Sequence, residues 1–530
     1  MKKLLISSIL EYVIRYHPNT EIVSYHTYGY NEHDIDNISQ RYTYSEFGKR
    51  CKQVSNMLLN LLNKEQKKKN STFIIGTLCC NSFQHLELCY GITSIGYIFH
   101  PINPKLDTEY LYYIFKHAND TIIFYDRCFE HIINKLKKRC RNVVNWICIE
   151  DSYEIMIDLF PDDIDFPYIE ENDPAVLCYT SGTTSKPKGV IYSHRDILLS
   201  SMMGISPDGV GLSAIDTVLP LQGFYYCNSW NFIFMMPLVG CKIVFIDDYS
   251  INNSYIDLFT DILQKEEVTL SAGLTSYWIY FLQHMKENHS LSRFRNLFLS
   301  KILIAGASLN QLFINHFKEY TIDVINCYGM MENMYCGFYS NLKNKQDEIY
   351  DPFIGRFRPI FGIDMKIDEE DIENVNGELY IQGLWTIRDY FKPKSDTLIN
   401  EWFSTDDICI INKEGYLNVV EKKRDILKIS GQWVSSSLLE SIAMSHPDVL
   451  QSSCISIGDS ILGNICVIVI KARTKIVETE ILKLYNDRHY FPGYVIFIEE
   501  FPVSSHDQVD KEILKQMIYN MMSDFIHING

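Results

Sequence analysis

The stretch Tyr179-Thr-Ser-Gly-Thr-Thr-Ser-Lys-Pro-Lys-Gly-Val190 decides the architecture of this chain of 530 residues. The short apolar segment Ala175–Tyr179 leads into it and predicts a buried strand that ends in a loop. Gly182 and Gly189 allow backbone conformations that other residues resist, and successive N–H groups in such a turn form a concave anion site. Hydroxyls and two lysines add donors and charge. The pattern predicts an anion-binding loop, with a flexible polar linker as the plain alternative. It is not a Walker A loop, because Pro187 stands where that motif begins a helix.

The segments around this loop alternate strand-like and helix-like patterns. Short apolar runs such as Phe73–Leu78, Thr121–Tyr125 and Lys242–Ile246 predict buried strands, with helical patterns between them. This rhythm predicts an α/β fold in which helices cover parallel sheets, with ligand sites at the carboxyl ends of the strands. Residues 352–421 alternate short strands with turns and predict a small barrel-like β subdomain. The remaining hundred or so residues return to a mixed α+β pattern, which predicts a final small domain.

Two local boundaries are also predicted. Ser45 is the expected N-cap of a long helix that runs through Leu62. The mostly apolar run Gln222–Leu238 is predicted to be one helix, and it carries Tyr226 and Trp230. An aromatic helix of this kind packs more often in a hydrophobic core than along the wall of a ligand-binding pocket. Only its position in the chain, after Pro220, favours the pocket wall.

Composition narrows the classes of function. A net charge of -17 argues against nucleic acid as the main partner. No apolar run reaches the ~20 residues that span a bilayer. Met1–Leu10 is predicted to start an amphipathic helix instead of a signal peptide, because Glu11 cuts the apolar stretch short. The 15 cysteines include no Cys-x-x-Cys pair, so free thiols in a reducing compartment, the cytoplasm, are expected. Peripheral membrane contact and oligomeric state stay open.

Residues 179–190 resemble, over the whole motif, the phosphate-binding loop of the adenylate-forming superfamily, also called acyl-activating or AMP-binding. Asn81–Tyr90 and Phe99–Leu106 are more similar to medium- and long-chain fatty acyl-CoA ligases than to amino-acid-adenylating domains. The resemblance implies that a fatty acid attacks the α-phosphate of ATP and that coenzyme A captures the acyl-adenylate, with Mg²⁺ as the metal. It also implies a large N-terminal domain over residues 1–421, a hinge at 422–425 and a mobile small domain over 426–530.

The same resemblance implies the residues of the site. The catalytic set is Thr184, Lys188, Glu332 and Gln508, and Thr184 and Glu332 would hold Mg²⁺, which takes hard oxygen ligands. The set for ATP and coenzyme A is Thr180, Ser181, Gly182, Thr183, Thr184, Lys188, Gly306, Ala307, Tyr328, Gly329, Met331, Asp407, Lys422, Ser430 and Gly431. Within that set, Tyr328 is expected to stack on adenine, and Asp407 and Lys422 are expected to hold ribose. The acyl chain is expected between Tyr226, Trp230 and Gly306.

Four positions on the nucleotide side depart from the family pattern. Met331 stands in place of a threonine, Asp406 of a glycine, Lys422 of an arginine and Gln508 of the adenylation lysine. Loss of that lysine is predicted to slow adenylation by about 10²–10³. Lys511, three residues further on, is a candidate substitute. These departures support a rival hypothesis, a protein that binds a nucleotide or acyl-adenylate with weak or no turnover.

A third hypothesis is an aryl- or amino-acid-adenylating enzyme. An amino-acid pocket would be expected to show an acidic residue for the ammonium group, and none occurs between Tyr225 and Trp230. The family also carries a Phe-His pair before Asn-Ala-Trp, whereas this chain keeps Asn228-Ser-Trp230 without the histidine. The entrance of the acyl site is therefore expected to differ from that of the family.

Overall fold

A computed structural model gives the fold of this chain. It describes residues 3–26, 39–66, 72–180, 186–226, 229, 231–247, 253–288, 291–305, 311–334, 337–341, 357–367, 376–392, 398–399, 401–423, 427–429, 432–434, 436–459, 463–485, 493–503 and 509–528. No helix within these ranges is both long and apolar enough to cross a bilayer.

The chain begins with helix α1 (Ile6–Tyr16), strands β1 (Glu21–Tyr25) and β2 (Ser39–Thr43), and helix α2 (Tyr44–Gln66). Ile6, Ile9 and Val13 on α1 are buried, which confirms the predicted amphipathic helix. The predicted N-cap of α2 was wrong, because Thr43 holds that place. Its hydroxyl accepts from the N–H of Glu46 at 3.2 Å, and its own N–H donates to the Glu46 carboxylate at 2.8 Å. This reciprocal pair satisfies two backbone N–H groups, whereas Ser45 lies two residues after Thr43 and already inside the helix.

The first α/β unit is a six-stranded sheet. Its elements are β3 (Ile74–Leu78), α3 (Phe83–Thr93), β4 (Ile98–Pro101), α4 (Thr108–Ala118), β5 (Ile122–Tyr125), α5 (Glu130–Leu136), β6 (Asn145–Cys148), α6 (Glu154–Asp158), β7 (Pro174–Tyr179) and β8 (Gly189–Ser193). The strand order is β6-β5-β3-β4-β7-β8, parallel except for the antiparallel pair of β7 and β8. The predicted parallel sheet is therefore confirmed, and its edge hairpin, formed by β7 and β8, carries the loop predicted to bind an anion.

The second α/β unit is a nine-stranded sheet. Its further elements are α7 (His194–Gly204), β9 (Thr217–Pro220), α8 (Phe232–Val239), β10 (Lys242–Ile246), α9 (Asn253–Lys265), β11 (Leu270–Leu274), α10 (Thr275–Glu287), β12 (Lys301–Ala305), α11 (Gln311–Lys318), β13 (Asp323–Tyr328), β14 (Phe338–Asn341) and β15 (Arg358–Pro359). The order is β15-β14-β13-β12-β11-β9-β10-β1-β2, with a parallel centre and antiparallel edges. One hydrophobic cluster contains buried residues of both large sheets.

The predicted helix over residues 222–238 was wrong over residues 222–226, which form bends and turns, whereas α8 begins at Phe232. The side chain of Asn81 donates to the carbonyl of Gln222 at 2.8 Å and accepts from the N–H of Phe224 at 3.1 Å. The hydroxyl of Ser229 donates to the same carbonyl at 2.5 Å. Side chains thus take the backbone groups that a helix would have paired internally.

The third unit is a small antiparallel sheet, and its strands lie between Ile363 and Lys422, in the region where short strands were predicted. It contains β16 (Ile363–Ile367), β17 (Asn376–Gly383), β18 (Leu398–Ile399), β19 (Trp402–Ile411) and β20 (Leu417–Lys422). The order is β16-β17-β19-β18, and β20 also pairs with β19. Strand β19 alternates buried and more exposed residues. This alternation turns Thr405 and Asp407 inwards and Asp406 outwards.

The C-terminal unit is a separate α+β domain with its own hydrophobic clusters. Its elements are β21 (Leu427–Ile429), β22 (Gln432–Val434), α12 (Ser436–Ala443), β23 (Val449–Asp459), β24 (Gly463–Ala472), α13 (Glu478–Lys483), β25 (Tyr494–Phe497) and α14 (Lys511–Ile528). Strands β23, β24 and β25 form a three-stranded sheet.

Candidate active site

The anion-binding loop connects the two strands of an edge hairpin. Tyr179 at the end of β7 pairs with Gly189 at the start of β8. Thr180 donates its N–H to the carbonyl of Lys188 at 2.9 Å, and its hydroxyl accepts from the N–H of Lys188 at 3.1 Å. These bonds close the neck of the loop. Its tip, residues 181–185, lies outside the described residues.

Two segments distant in sequence brace the neck of this loop. The His117 ring lies with Nδ1 2.7 Å from the Tyr179 hydroxyl, and its Nε2 is hydrogen-bonded to the carbonyl of Lys392. The N–H of Phe391 donates to the carbonyl of Gly189 at 2.7 Å. Sequence reasoning missed this bracing, because neither His117 nor the segment around Phe391 carries a local signal for it.

Glu332 lies in a tight turn just after β13, at the carboxyl end of the parallel strands. Its Oε1 accepts from the hydroxyl of Tyr390 at 2.5 Å, and its carbonyl accepts from the N–H of Ile387 at 2.9 Å. The ammonium of Lys188 lies 4.7 Å from the centroid of the Tyr390 ring. The structure therefore brings Lys188 and Glu332, two of the predicted catalytic residues, to the same tyrosine. Tyr390 itself was not predicted.

Burial raises the pKa of the Glu332 carboxyl above its ordinary value, and the hydrogen bond from Tyr390 and the charges of Lys422 and Lys188 partly oppose that rise. A further cation nearby would stabilise the ionised form of this buried carboxylate, because opposite charge favours that form. Its oxygens are of the hard type that Mg²⁺ accepts. Glu332 therefore fits the metal role predicted for it, while Thr184, the other predicted ligand, lies outside the described residues.

Asp407 forms the second polar cluster of the site. Its Oδ2 accepts from the hydroxyl of Tyr328 at 2.5 Å, and its Oδ1 lies 2.8 Å from the ammonium of Lys422. Its N–H donates to the hydroxyl of Thr405 at 3.1 Å, and that hydroxyl donates to the carbonyl of Leu379 at 2.9 Å. The structure thus brings together Tyr328, Asp407 and Lys422, three of the residues expected to hold the nucleoside. Thr405, which orients Asp407, was not predicted.

Asp406 holds a left-handed backbone conformation with φ of 57°. Between the pairs Glu378↔Ile408 and Tyr380↔Ser404, one residue of β17 faces three of β19, so the strand bulges at this point. The carbonyl of Asp406 accepts from the N–H of Lys423 at 2.8 Å. A left-handed residue in a bulge is a position that favours glycine, which accounts for the glycine of the family pattern.

The remaining predicted residues fall into two groups. Met331 is partly buried, and its carbonyl accepts from the hydroxyl of Tyr192 on β8, which ties the turn of Glu332 to the edge hairpin. Gly329 precedes this turn, and Tyr226 is buried in the segment before α8. The others lie outside the described residues, and their roles stay predictions: Ser181, Gly182, Thr183, Thr184, Trp230, Gly306, Ala307, Ser430, Gly431 and Gln508.

Lys511 already has partners within the C-terminal domain. Its ammonium lies 2.9 Å from the Glu440 carboxylate and donates to the hydroxyl of Ser436 at 2.8 Å. The same Glu440 carboxylate also accepts from the N–H of Cys454 at 2.7 Å. In this arrangement Lys511 anchors α14 to α12, a structural role that competes with the predicted substitution for the missing lysine.

This chain is similar to known proteins over nearly its whole length. The chain is 28% identical over 543 residues to a 3-methylmercaptopropionyl-CoA ligase from Ruegeria lacuscaerulensis, with 97% of each protein covered. It is 28% identical to a medium-chain-fatty-acid–CoA ligase from Ectopseudomonas oleovorans, with 97% of this chain and 96% of the relative covered. Among solved structures, an anthranilate CoA ligase in complex with anthranoyl-AMP superposes with a TM-score of 0.83 at 20% identity, over 97% of each chain.

A second solved structure shares the fold at greater sequence distance. The o-succinylbenzoate coenzyme A synthetase from Bacillus subtilis, in complex with ATP and magnesium, superposes with a TM-score of 0.77 at 17% identity, over 95% of this chain and 98% of that one. The family model described as "AMP-binding enzyme" matches residues 11–391, well over half of the 530 residues. This chain belongs to the AMP-binding enzyme family.

Proposed function

We propose that this protein is an ATP-dependent acid–CoA ligase. A fatty acid attacks the α-phosphate of ATP, pyrophosphate leaves, and the thiol of coenzyme A then displaces AMP from the acyl-adenylate. The observation that carries this proposal is the convergence of Lys188, Glu332 and Tyr390 beside the cluster of Asp407 and Lys422. Membership of the AMP-binding enzyme family supports the same reaction class.

Lys188 and Glu332 are the groups that would handle the triphosphate. The ammonium of Lys188, on the exposed rim of the loop, offers a positive charge to the phosphates. Glu332, with Thr184 as its proposed partner, would hold Mg²⁺, which when bound neutralises charge on the triphosphate. Tyr390 keeps the Glu332 carboxylate in place through its 2.5 Å hydrogen bond.

Asp407 is the group that would hold the ribose. It is 3% exposed, and its two oxygens already accept from Tyr328 and interact with Lys422. An ionised carboxylate has about four acceptor positions, so both ribose hydroxyls find further lone pairs there. The ring of Tyr328, at the end of β13, would then lie beside the adenine.

The acyl group would lie near the segment that Asn81 holds before α8. Buried apolar and aromatic side chains there, including Tyr226 and Phe224, suit an apolar chain better than a charged acid. The two relatives named above act on 3-methylmercaptopropionate and on medium-chain fatty acids, which supports a short to medium acyl chain. We propose Trp230 and Gly306 as the other walls.

We further propose that the C-terminal domain swings about residues 422–425 between the two half-reactions. Lys422 would hold ribose in the first pose, in which its ammonium contacts Asp407 at 2.8 Å. Ser430 and Gly431 would border the channel for coenzyme A in the second. The domain boundaries proposed are 1–421 and 426–530.

Isotope exchange between pyrophosphate and ATP tests the proposal, with 3-methylmercaptopropionate and a panel of fatty acids from roughly C6 to C18, sizes that an apolar pocket of this kind holds. We expect exchange that depends on the acid and on Mg²⁺. Lys188→Met should lower it by about 10²–10³, as for loss of one preorganised donor. Lys186→Met is the matched control, because Lys186 is in the same loop but its ammonium faces the ring of Tyr113 at 5.3 Å.

A second candidate function is a binding protein for ATP or an acyl-adenylate with little turnover. Gln508 in place of the adenylation lysine and the ion pair of Lys511 with Glu440 favour it. The two candidates differ in a simple measurement. If ATP with Mg²⁺ raises the melting temperature while no acid of the panel yields AMP, the binding function is correct. If AMP forms, the ligase function is correct.

A further inference from the structure

Three side chains meet at one edge of the six-stranded sheet. Cys80 follows β3, and Asp126 and Cys128 follow its parallel neighbour β5. One ligand atom from each residue, two sulfurs and a carboxylate oxygen, lies within 4.8 Å of the other two. The carboxyl ends of neighbouring parallel strands point to the same edge, so the fold itself brings these three residues together.

A backbone hydrogen bond holds the cluster together, and its three residues are partly buried. The N–H of Cys80 donates to Oδ2 of Asp126 at 2.6 Å, which fixes the carboxylate beside the sulfur. Among the 13 cysteines in the described part of the chain, Cys80 and Cys128 are partly exposed and all others are buried. The two partly exposed cysteines of the described residues are therefore the two that lie beside this carboxylate.

The surroundings of the cluster are negatively charged. Glu150, after the neighbouring strand β6, and Asp247, after β10 of the other large sheet, both interact electrostatically with the Asp126 carboxylate. Arg127, the cation next in sequence, directs its guanidinium to Asp151 instead. A cation placed among these groups would be attracted from several sides.

We propose that Cys80, Asp126 and Cys128 bind a Zn²⁺ ion, with a water molecule in the fourth position. Thiolates select zinc over magnesium, which prefers oxygen ligands only. Zinc–sulfur bonds of about 2.3 Å place two sulfurs about 3.8 Å apart in a tetrahedron. Atoms that now lie within 4.8 Å therefore need to approach by about 1 Å or less. This site is separate from the nucleotide site, and the inference does not depend on the proposed function.

The experiment uses the full-length chain, stripped of metal with a chelator and kept reduced, and titrates it with Co²⁺ as a spectroscopic probe. We expect one equivalent of Co²⁺ to produce the near-ultraviolet charge-transfer band of cobalt–thiolate bonds, and Zn²⁺ to remove it by displacement. Cys80→Ala and Cys128→Ala should abolish the band and weaken Zn²⁺ binding by about 100-fold or more, and Asp126→Asn by about 10–100-fold. Melting curves of each variant establish that it is folded.

The matched control is Cys140→Ala, which removes a buried cysteine of the same sheet unit and should leave both the band and the Zn²⁺ affinity unchanged. The proposal is overturned if wild type shows no cobalt–thiolate band, or if the band survives in the double variant of Cys80 and Cys128. It is equally overturned if mass spectrometry finds these two cysteines joined in a disulfide and the reduced chain still takes up no metal.

Discussion

The hydroxyl of Tyr390 donates a hydrogen bond of 2.5 Å to the carboxylate of Glu332, across 58 positions of sequence. The same tyrosine ring faces the ammonium of Lys188 at 4.7 Å. One side chain thus links the turn after β13 to the rim of the anion-binding loop. Two of the four predictions below test this link, and two test the departures from the family pattern.

The first prediction concerns the pH dependence of stability. Burial raises the pKa of Glu332, so on going to higher pH the unfolded chain releases this proton before the folded chain does. The stability that Glu332 contributes is therefore lost as the pH rises from the ordinary pKa of a carboxyl to the raised pKa of Glu332. It stays lost at any pH above that raised pKa. Glu332→Gln should unfold at a higher temperature than wild type at pH 8, with the gap closing towards pH 4, while pyrophosphate exchange falls by about 100-fold or more.

Glu378→Gln is the control of opposite sign. Burial pushes the pKa of Glu378 up, but hydrogen bonds from Lys423 and Ser404 outweigh burial and hold that pKa below its ordinary value. Its stabilisation is present above the ordinary value and is lost in acid, so this variant should melt lower than wild type at pH 8. Thermal unfolding of both variants from pH 4 to pH 8 checks the pair. Equal shifts of the melting temperature in the same direction for the two variants would contradict the opposite pKa shifts assigned to Glu332 and Glu378.

The second prediction concerns the role of Tyr390. In the wild type, the hydrogen bond from Tyr390 lowers the pKa of the Glu332 carboxyl. Tyr390→Phe removes this hydrogen bond and keeps the ring that faces Lys188. The pKa of Glu332 should then rise, and the acid limb of the pH profile of kcat/KM should move to higher pH. Tyr113→Phe, beside Lys186, is the control. An unchanged acid limb in Tyr390→Phe would show that Tyr390 does not set the charge of Glu332.

The third prediction concerns the bulge in β19. Asp406 has a φ of 57°, so Asp406→Gly should relieve backbone strain and raise the free energy of unfolding by about 1 kcal/mol. It also removes a negative charge next to Asp407, so ATP should bind more tightly. Glu401→Gly is the matched control, because Glu401 has a φ of 70°. Glu401→Gly should stabilise the chain by a similar amount and leave its affinity for ATP unchanged. Titration calorimetry measures the ATP affinity of both variants, and equal affinities would show that the charge of Asp406 does not affect ATP binding.

The fourth prediction concerns the missing lysine. Gln508→Lys restores a positive charge where charge develops during adenylation, and it should raise pyrophosphate exchange by about 10²–10³. Lys511→Gln should leave exchange within a few-fold of wild type and lower the melting temperature, because Lys511 pairs with Glu440. If Lys511→Gln abolished exchange and Gln508→Lys had no effect, Lys511 would be the adenylation lysine.

Local pattern was enough to predict most strands and helices of the two parallel sheets. Buried parallel strands are short apolar runs bounded by turn residues, and β3, β5 and β10 all have this form. The pattern failed over residues 222–226, where apolar composition suggested a helix. There Asn81, from 141 residues away, donates to the carbonyl of Gln222 and accepts from the N–H of Phe224, and a local pattern contains no information about such a partner.

The sequence by itself determined the family and predicted the anion-binding loop and the candidate residues Lys188, Glu332, Tyr328 and Asp407, because each belongs to a short contiguous motif. Only the tertiary structure decided what these residues touch. Tyr390, Thr405 and His117 join the site through hydrogen bonds across distant segments, and Cys80 meets Cys128 because β3 and β5 are neighbours in the sheet. Strand order and side-chain contact depend on how the whole chain packs, so no contiguous stretch of sequence specifies them.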